Sequence, residues 1–322
     1  ESIVSNNVIV LAGGLSHERD VSLRSGRRVA QALRETGHTV VEADINASLI
    51  DTIASLDEPV VFPVLHGGAG EDGALREVFD LLDIAYVGST GSASRIAFDK
   101  AVMTPTVAAA GIATPQQSAL PTDMFRELGA GNLVGALATK IGFPMMVKPS
   151  RSGSALGSAK VDDASVLPAA VVGAFSYGDV AIVAEFIEGT EVAVSVIDLG
   201  DGPVALPAVE ILPSSGVYDY TARYTAGETR FIAPAAIADA VAQACADMAL
   251  AVHAELGLRD LSRTDIIIDA DGPVFIETNV APGMTETSLV PLAVEAAERD
   301  FGELCAALVR QAHVRGGGTS QG

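Results

Sequence analysis

Residues 265–279 constrain this chain more than any other segment, because they fit one local structure and that structure gathers one kind of chemistry. The apolar runs 266–268 and 274–276 flank the turn signal Asp269-Ala270-Asp271-Gly272, which predicts a β-hairpin. Pairing about Asp271 sets Asp265 opposite Glu277, and the two-residue period of a strand puts Glu277 and Asn279 on one face. Two carboxylates and an amide oxygen, with no Cys or His beside them, form a hard-cation site suited to magnesium holding nucleotide phosphates. A solvated hairpin edge is the plainer alternative.

Charge narrows the partners. With 41 acidic against 20 basic residues the net charge is −21, so neither nucleic acid nor an anionic membrane is an expected partner. A small anionic ligand stays allowed, because a few cations and backbone amides can bind phosphates locally. Only four lysines occur, at 100, 140, 148 and 160, so their positions carry weight. Apolar residues are dispersed among Asp, Glu and Gly without a membrane-length run, and the N-terminus lacks a basic leader, which makes a cytoplasmic protein the expectation. Cys245 and Cys305 both lie in Ala-rich helical patterns and are expected to be core thiols.

A chain of 322 residues calls for two or three domains. The first hundred residues alternate strands near 8–12, 39–43 and 59–65 with a helix near 21–35, a βαβ rhythm that predicts a parallel sheet. Gly13-Gly14-Leu15-Ser16 lacks the spacing of a dinucleotide fingerprint. One helix is expected over 92–110. From 143 the pattern turns antiparallel, with strands at 180–186 and 191–199, a Tyr-rich functional loop from 216, and helices over 236–256 and 301–313.

Several other segments offer chemistry. Lys148 ends a strand before a small-residue loop running through Ser154, a combination that can hold phosphates without being a Walker A motif. Lys100 can supply a second cation. Glu18 and His66 follow strands at the carboxyl edge of the parallel sheet, where such sheets bind ligands; capping a helix is the plainer alternative for either side chain. Gly283 lets backbone amides approach an oxyanion, Ser288 sits near a helix start where a carboxylate can bind, and Arg263 shares the strand face of Asp265. A structural salt bridge from Arg263 is the alternative there.

Taken together, His17-Glu-Arg-Asp-Val-Ser-Leu23, Leu65-His-Gly-Gly-Ala-Gly-Glu-Asp-Gly73, Phe143-Pro-Met-Met-Val-Lys-Pro-Ser-Arg-Ser-Gly-Ser154, Tyr218-Asp-Tyr-Thr-Ala-Arg-Tyr224, Arg263-Thr-Asp265 and Glu277-Thr-Asn279 with Pro282-Gly-Met-Thr285 resemble the D-alanine:D-alanine ligases of the ATP-grasp family. The resemblance implies an α/β and α+β chain: an N-terminal Rossmann-like parallel-sheet domain over 1–95, ATP-grasp subdomains over 96–185 and 186–314, and a disordered tail over 315–322. It also implies ATP-dependent joining of two D-alanines through an acyl phosphate, for peptidoglycan precursors, in a homodimer. The cofactors implied are ATP and two magnesium ions, with manganese as a substitute.

The same resemblance assigns roles by motif position. Asp265, Glu277 and Asn279 would be metal ligands, and Lys100 and Lys148 would hold phosphates. Glu185, Phe186 and Ile187 would read the adenine and Glu191 the ribose. Glu18 would bind the first ammonium with His66 beside it, and Arg263 with the Gly283 amide would stabilise the oxyanion. Ser288 would hold the second carboxylate, while Ser154 and Tyr224 would hydrogen-bond Glu18 and latch the Tyr-rich loop. The chain departs from the family pattern mostly around the second substrate: Arg223 replaces lysine, Thr287 histidine, Ser152 glutamate, Val280-Ala281 a Thr-Ser pair, and Leu261-Ser262 a Trp-Gly pair. A different second substrate is therefore one alternative, and a nucleotide-binding regulator without catalysis is another.

Overall fold

The computed structural model describes residues 7–225 and 227–316, with the Tyr224 side chain outside that set. Its N-terminal sheet is parallel in the order β2-β1-β3-β4, from β1 (Asn7–Leu11), β2 (Thr39–Ala43), β3 (Val60–Pro63) and β4 (Ala85–Tyr86). Helices α1 (Arg19–Glu35), α2 (Leu49–Ala54) and α3 (Ala74–Leu81) make the connections. Parallel strands need such crossovers, and β3 reads as an unbroken apolar run because both faces are covered.

Where one helix is expected over 92–110 there are two, α4 (Gly91–Phe98) and α5 (Lys100–Ala109). Asp99 divides them: its backbone is extended, its carboxylate accepts from Ala101 N at 3.0 Å, and it also accepts from the Ser150 hydroxyl. An Asp that caps a new helix start offers the backbone an alternative to continuing the old one. The break leaves Lys100 as the first residue of α5.

The middle of the chain forms an antiparallel sheet in the order β5-β8-β6-β7, from β5 (Gln117–Pro121), β6 (Met145–Pro149), β7 (Ala159–Val161) and β8 (Val180–Glu185). Helices α6 (Thr122–Leu128), α7 (Ala130–Lys140) and α8 (Leu167–Phe175) accompany it. Its core, including Val147, Leu167, Val171 and Val183, is its own. Along β6 burial alternates, so Lys148 stands on the face opposite the buried Met145 and Val147.

The third sheet runs β12-β11-β9-β13-β14 with β10 on β9: β9 (Thr190–Asp198), β10 (Pro203–Ala205), β11 (Val209–Pro213), β12 (Thr229–Ile232), β13 (Leu261–Ile268) and β14 (Pro273–Asn279). Helices α9 (Tyr220–Tyr224), α10 (Asp239–Glu255) and α11 (Leu289–Ala296) accompany it, while α12 (Phe301–Arg315) packs against α1, β3 and β4 of the N-terminal sheet. This sheet shares a core with the N-terminal one, where Val8, Val10 and Leu33 pack in one cluster with Ile197, Val290, Leu308 and Val309.

Helix α12 runs two residues beyond the expected 313, so Arg315 is helical rather than part of a tail; 317–322 lie outside the described residues. The Arg315 guanidinium donates twice to the buried Asp260 carboxylate at 2.8 Å, which also accepts from Gly88 N at 2.7 Å. Asp260 adopts φ +66°, a left-handed conformation that Asp tolerates better than most residues. Removing one partner of a buried pair strands the other charge, so Arg315→Ala is expected to cost about 3 kcal/mol in urea denaturation. A loss within experimental error would show that this staple carries no stability.

Candidate active site

The hairpin of β13 and β14 pairs Asp265 with Glu277 and Arg263 with Asn279, as the spacing predicts. Beyond Asp265 the register slips by one, and Ile266 faces Phe275 rather than Ile276. The slip has a purpose that alternation alone misses. Residues 275 and 277 would otherwise share a face, yet Phe275 is fully buried in an apolar cluster while Glu277 lines a cavity. A bulge re-aims one side chain relative to the next and lets both conditions hold.

That cavity, of about 160 Å³, is bounded by Glu18, His66, Glu71, Lys100, Ser154, Arg223, Arg263, Glu277, Asn279, Gly283 and Ser288, among others. It is smaller than the roughly 300–1,000 Å³ of typical ligand clefts, a size suited to small amino acids. Residues from all three sheets therefore meet at one place. Lys148 and Asp265 do not line it, although both interact electrostatically with groups that do.

Cations neutralise the hairpin carboxylates. Arg263 forks onto Asp265 at 2.7 and 2.8 Å, Lys100 Nζ lies 3.2 Å from Glu277, and Arg223 lies 3.9 Å from it. Burial pushes the Glu277 carboxyl up, but Lys100, Arg223 and Lys148 outweigh it and hold the group down at about 2. Burial also lowers Lys148 to about 8, against the opposing pull of Glu277. The oxygen donors of Asp265, Glu277 and Asn279 fit a hard divalent ion chemically. With so many cations around them, they fit one that arrives with a polyphosphate better than a bare ion. Among the described residues no group of three or more His, Cys, Asp or Glu is placed to hold a metal ion.

Around Glu18 the loops lock together. Its side chain makes no cap on α1; instead it accepts from the Ser154 hydroxyl across the β6–β7 loop. Ser154 and Ala155 both hold positive φ, +51° and +57°, a strain that surrounding contacts sustain. Gly153 is needed for the approach, since a Cβ there would lie 2.5 Å from Glu18 Oε2. His66 donates through Nδ1 to Ala281 O at 2.8 Å and accepts at Nε2 from Ser25 Oγ at 3.0 Å, which in turn accepts from Met284 N. Burial lowers the imidazole pKa, so this relay holds a neutral ring and ties the β3 loop to the segment carrying Gly283.

Ser288 precedes α11, and its hydroxyl accepts from Thr285 N at 3.0 Å; a Cβ on Gly283 would approach that hydroxyl to 2.8 Å. At the far end of β8, Glu185 accepts from Gln116 N at 3.2 Å, while Phe186 N donates to Pro144 O and the Phe186 ring lies 4.6 Å from Lys160 Nζ. Ile187 follows in the link to β9. Glu191, near the start of β9, is pushed up to about 7 by burial, against the pull of Arg223. The expected hydroxyl contact of Tyr224 falls outside the described residues.

Glu71 was hidden in its motif. The sequence displays it beside His66 without giving it work, yet it is buried against the cavity, and burial first, then the Glu18 charge, raise its carboxyl to about 8. Its folded pKa lies above the unfolded one, so the folded state binds the proton more tightly. The resulting stability is complete below about 4.5 and is lost as pH rises through about 8, at up to about 1.4 kcal/mol per pH unit. Glu71→Gln is expected to flatten the fall of Tm between pH 5 and 8. Parallel curves for the two proteins would remove this linkage.

Three sheets of this arrangement, with a cation-rich oxygen site on the hairpin of the third, define an ATP-grasp architecture. Family models described as the D-ala D-ala ligase N-terminus and C-terminus match residues 42–89 and 106–310. A D-alanine–D-alanine ligase of Syntrophotalea carbinolica is 35% identical over 98% of this chain and 99% of its own. One from Anaeromyxobacter sp. strain Fw109-5 is 39% identical over 92% and 94%. Among solved structures, the VanG D-Ala:D-Ser ligase of Enterococcus faecalis is 28% identical with a TM-score of 0.82, covering 96% of this chain and 99% of that one. The D-alanine–D-alanine ligase of Bacillus anthracis is 26% identical with a TM-score of 0.81, covering 96% and 98%. The chain belongs to the D-alanine–D-alanine ligase family.

Proposed function

We propose that the protein joins two D-alanine molecules into D-alanyl-D-alanine, with ATP converted to ADP and phosphate. The observation that carries this reading is the single cavity lined by Glu18, His66, Lys100, Arg263, Glu277, Gly283 and Ser288, which lie far apart in sequence. ATP supplies the phosphoryl group that activates the first carboxylate, and two magnesium ions offset its charge.

The chain's own groups take the remaining roles. Glu18, fixed by Ser154, binds the first ammonium, with His66 beside it. Lys100 and Lys148 hold phosphate oxygens, and Arg223 adds charge beside Glu277. Asp265, Glu277 and Asn279 hold the metal ions. Glu185, Phe186 and Ile187 meet the adenine and Glu191 the ribose. Arg263 and the Gly283 amide face the oxyanion that forms when the second amine attacks, a role in which fixed dipoles stabilise developing charge. Ser288 and the start of α11 meet the second carboxylate. Function in the cytoplasm, as a homodimer feeding peptidoglycan assembly, belongs to the same reading; among the described residues no helix is long and apolar enough to cross a membrane.

A coupled ADP-release assay over D-amino acids and D-lactate, with dipeptide identified by mass, tests the proposal. D-Alanine is expected to give the fastest ADP release together with its dipeptide. ADP release with D-alanine no greater than background would overturn it.

A further inference from the structure

We infer that Arg24 recognises the carboxylate of the second amino acid, an inference that rests on the ligase reading above. Four cationic side chains line the cavity among the described residues: Arg24, Lys100, Arg223 and Arg263. Three already face carboxylates, Lys100 and Arg223 at Glu277 and Arg263 at Asp265. Arg24 has neither an ion pair nor a hydrogen bond among the described residues. In a chain of net charge −21 a cation left over at a cavity wall is a resource for an incoming anion.

Its place on α1 assigns the anion. Val21, Arg24 and Arg28 follow a spacing of three and four, which puts them on one helical face. Arg28 holds the loop after β14 by donating to Met284 O at 3.3 Å and Thr285 O at 2.8 Å. One turn earlier, Arg24 lines the cavity together with Thr287 and Ser288, the end read as the second amino-acid subsite. The Ser288 hydroxyl is already engaged by Thr285, and a helix start contributes only partial charge. A full carboxylate there needs a full cation, and a guanidinium fork matches it in two hydrogen bonds. Arg24 is thereby the group that favours amines bearing a carboxylate over amines that lack one at this subsite.

The test compares two nucleophiles. Hydroxylamine captures the activated first D-alanine as a hydroxamate and brings no carboxylate, whereas D-alanine captures it as the dipeptide. With subsaturating D-alanine, Arg24→Ala is expected to lower the ratio of dipeptide to hydroxamate about tenfold, and Arg24→Lys to restore part of it. Arg24 is exposed, so neither variant removes a core contact. An unchanged ratio in an active enzyme, or a fall in both products together, would overturn the role of Arg24. A wild-type protein that forms neither product would instead sink the ligase reading itself.

Discussion

Asp265→Asn and Glu277→Gln are each expected to lower turnover with ATP, magnesium and D-alanine by about 100-fold or more. Phosphoryl transfer leaves the protein little covalent work, so its rate depends on charge placed against the transferring group. The two carboxylates face each other across the hairpin and supply that charge through the metal ions they are proposed to hold. Both substitutions keep side-chain size, and both leave neighbouring cations unopposed: Arg263 in one case, Lys100 and Arg223 in the other. The fault therefore lies in electrostatics rather than shape. Stopped-time ADP measurement on folded variants checks this, and near-normal turnover in both would remove the metal assignment.

The second large effect concerns Arg263. Arg263→Met is expected to destabilise the protein by about 3–5 kcal/mol, because Asp265 would be left buried as an uncompensated charge. Asp265 has only 4% of its side chain exposed and gives both oxygens to Arg263, so water cannot take the place of the guanidinium. Adding Asp265→Asn to Arg263→Met is expected to recover much of that loss while leaving the enzyme inactive. Denaturant unfolding of the two singles and the double closes the cycle. Additive losses would mean that the pair is not energetically coupled.

What the sequence made legible was local. The hairpin register of Asp265 and Glu277 followed from alternation and a turn signal, and the βαβ rhythm led to the parallel sheet. The bulge did not, since it answers to Phe275 sinking into a cluster built partly from α4, α5 and α10. Asp99 looked like one more helical residue; its cap to Ala101 N is local, but the Ser150 hydroxyl that also holds its carboxylate lies 51 positions away. Helices α6 and α7 escaped notice because α6 buries no residue and α7 buries only Leu137, leaving little apolar periodicity to detect. In the site, the residue types were visible but not their pairing. Nothing in the hairpin announces Lys100 as a neighbour of Glu277, and nothing around residue 71 announces how deeply Glu71 is buried.

The bond between Arg315 and Asp260 has a consequence for the order in which the molecule is made. Asp260 opens the strand that bears Arg263 and Asp265, and its buried carboxylate has no guanidinium until the end of α12 has left the ribosome. One face of the N-terminal sheet, that of Val8 and Val10, likewise waits for Val290, Leu308 and Val309 to cover it, whereas its other face closes within residues 9–86. The middle sheet closes its core within residues 120–183, so a growing chain carries finished pieces while the core shared by the first and third sheets is completed only by α11 and α12.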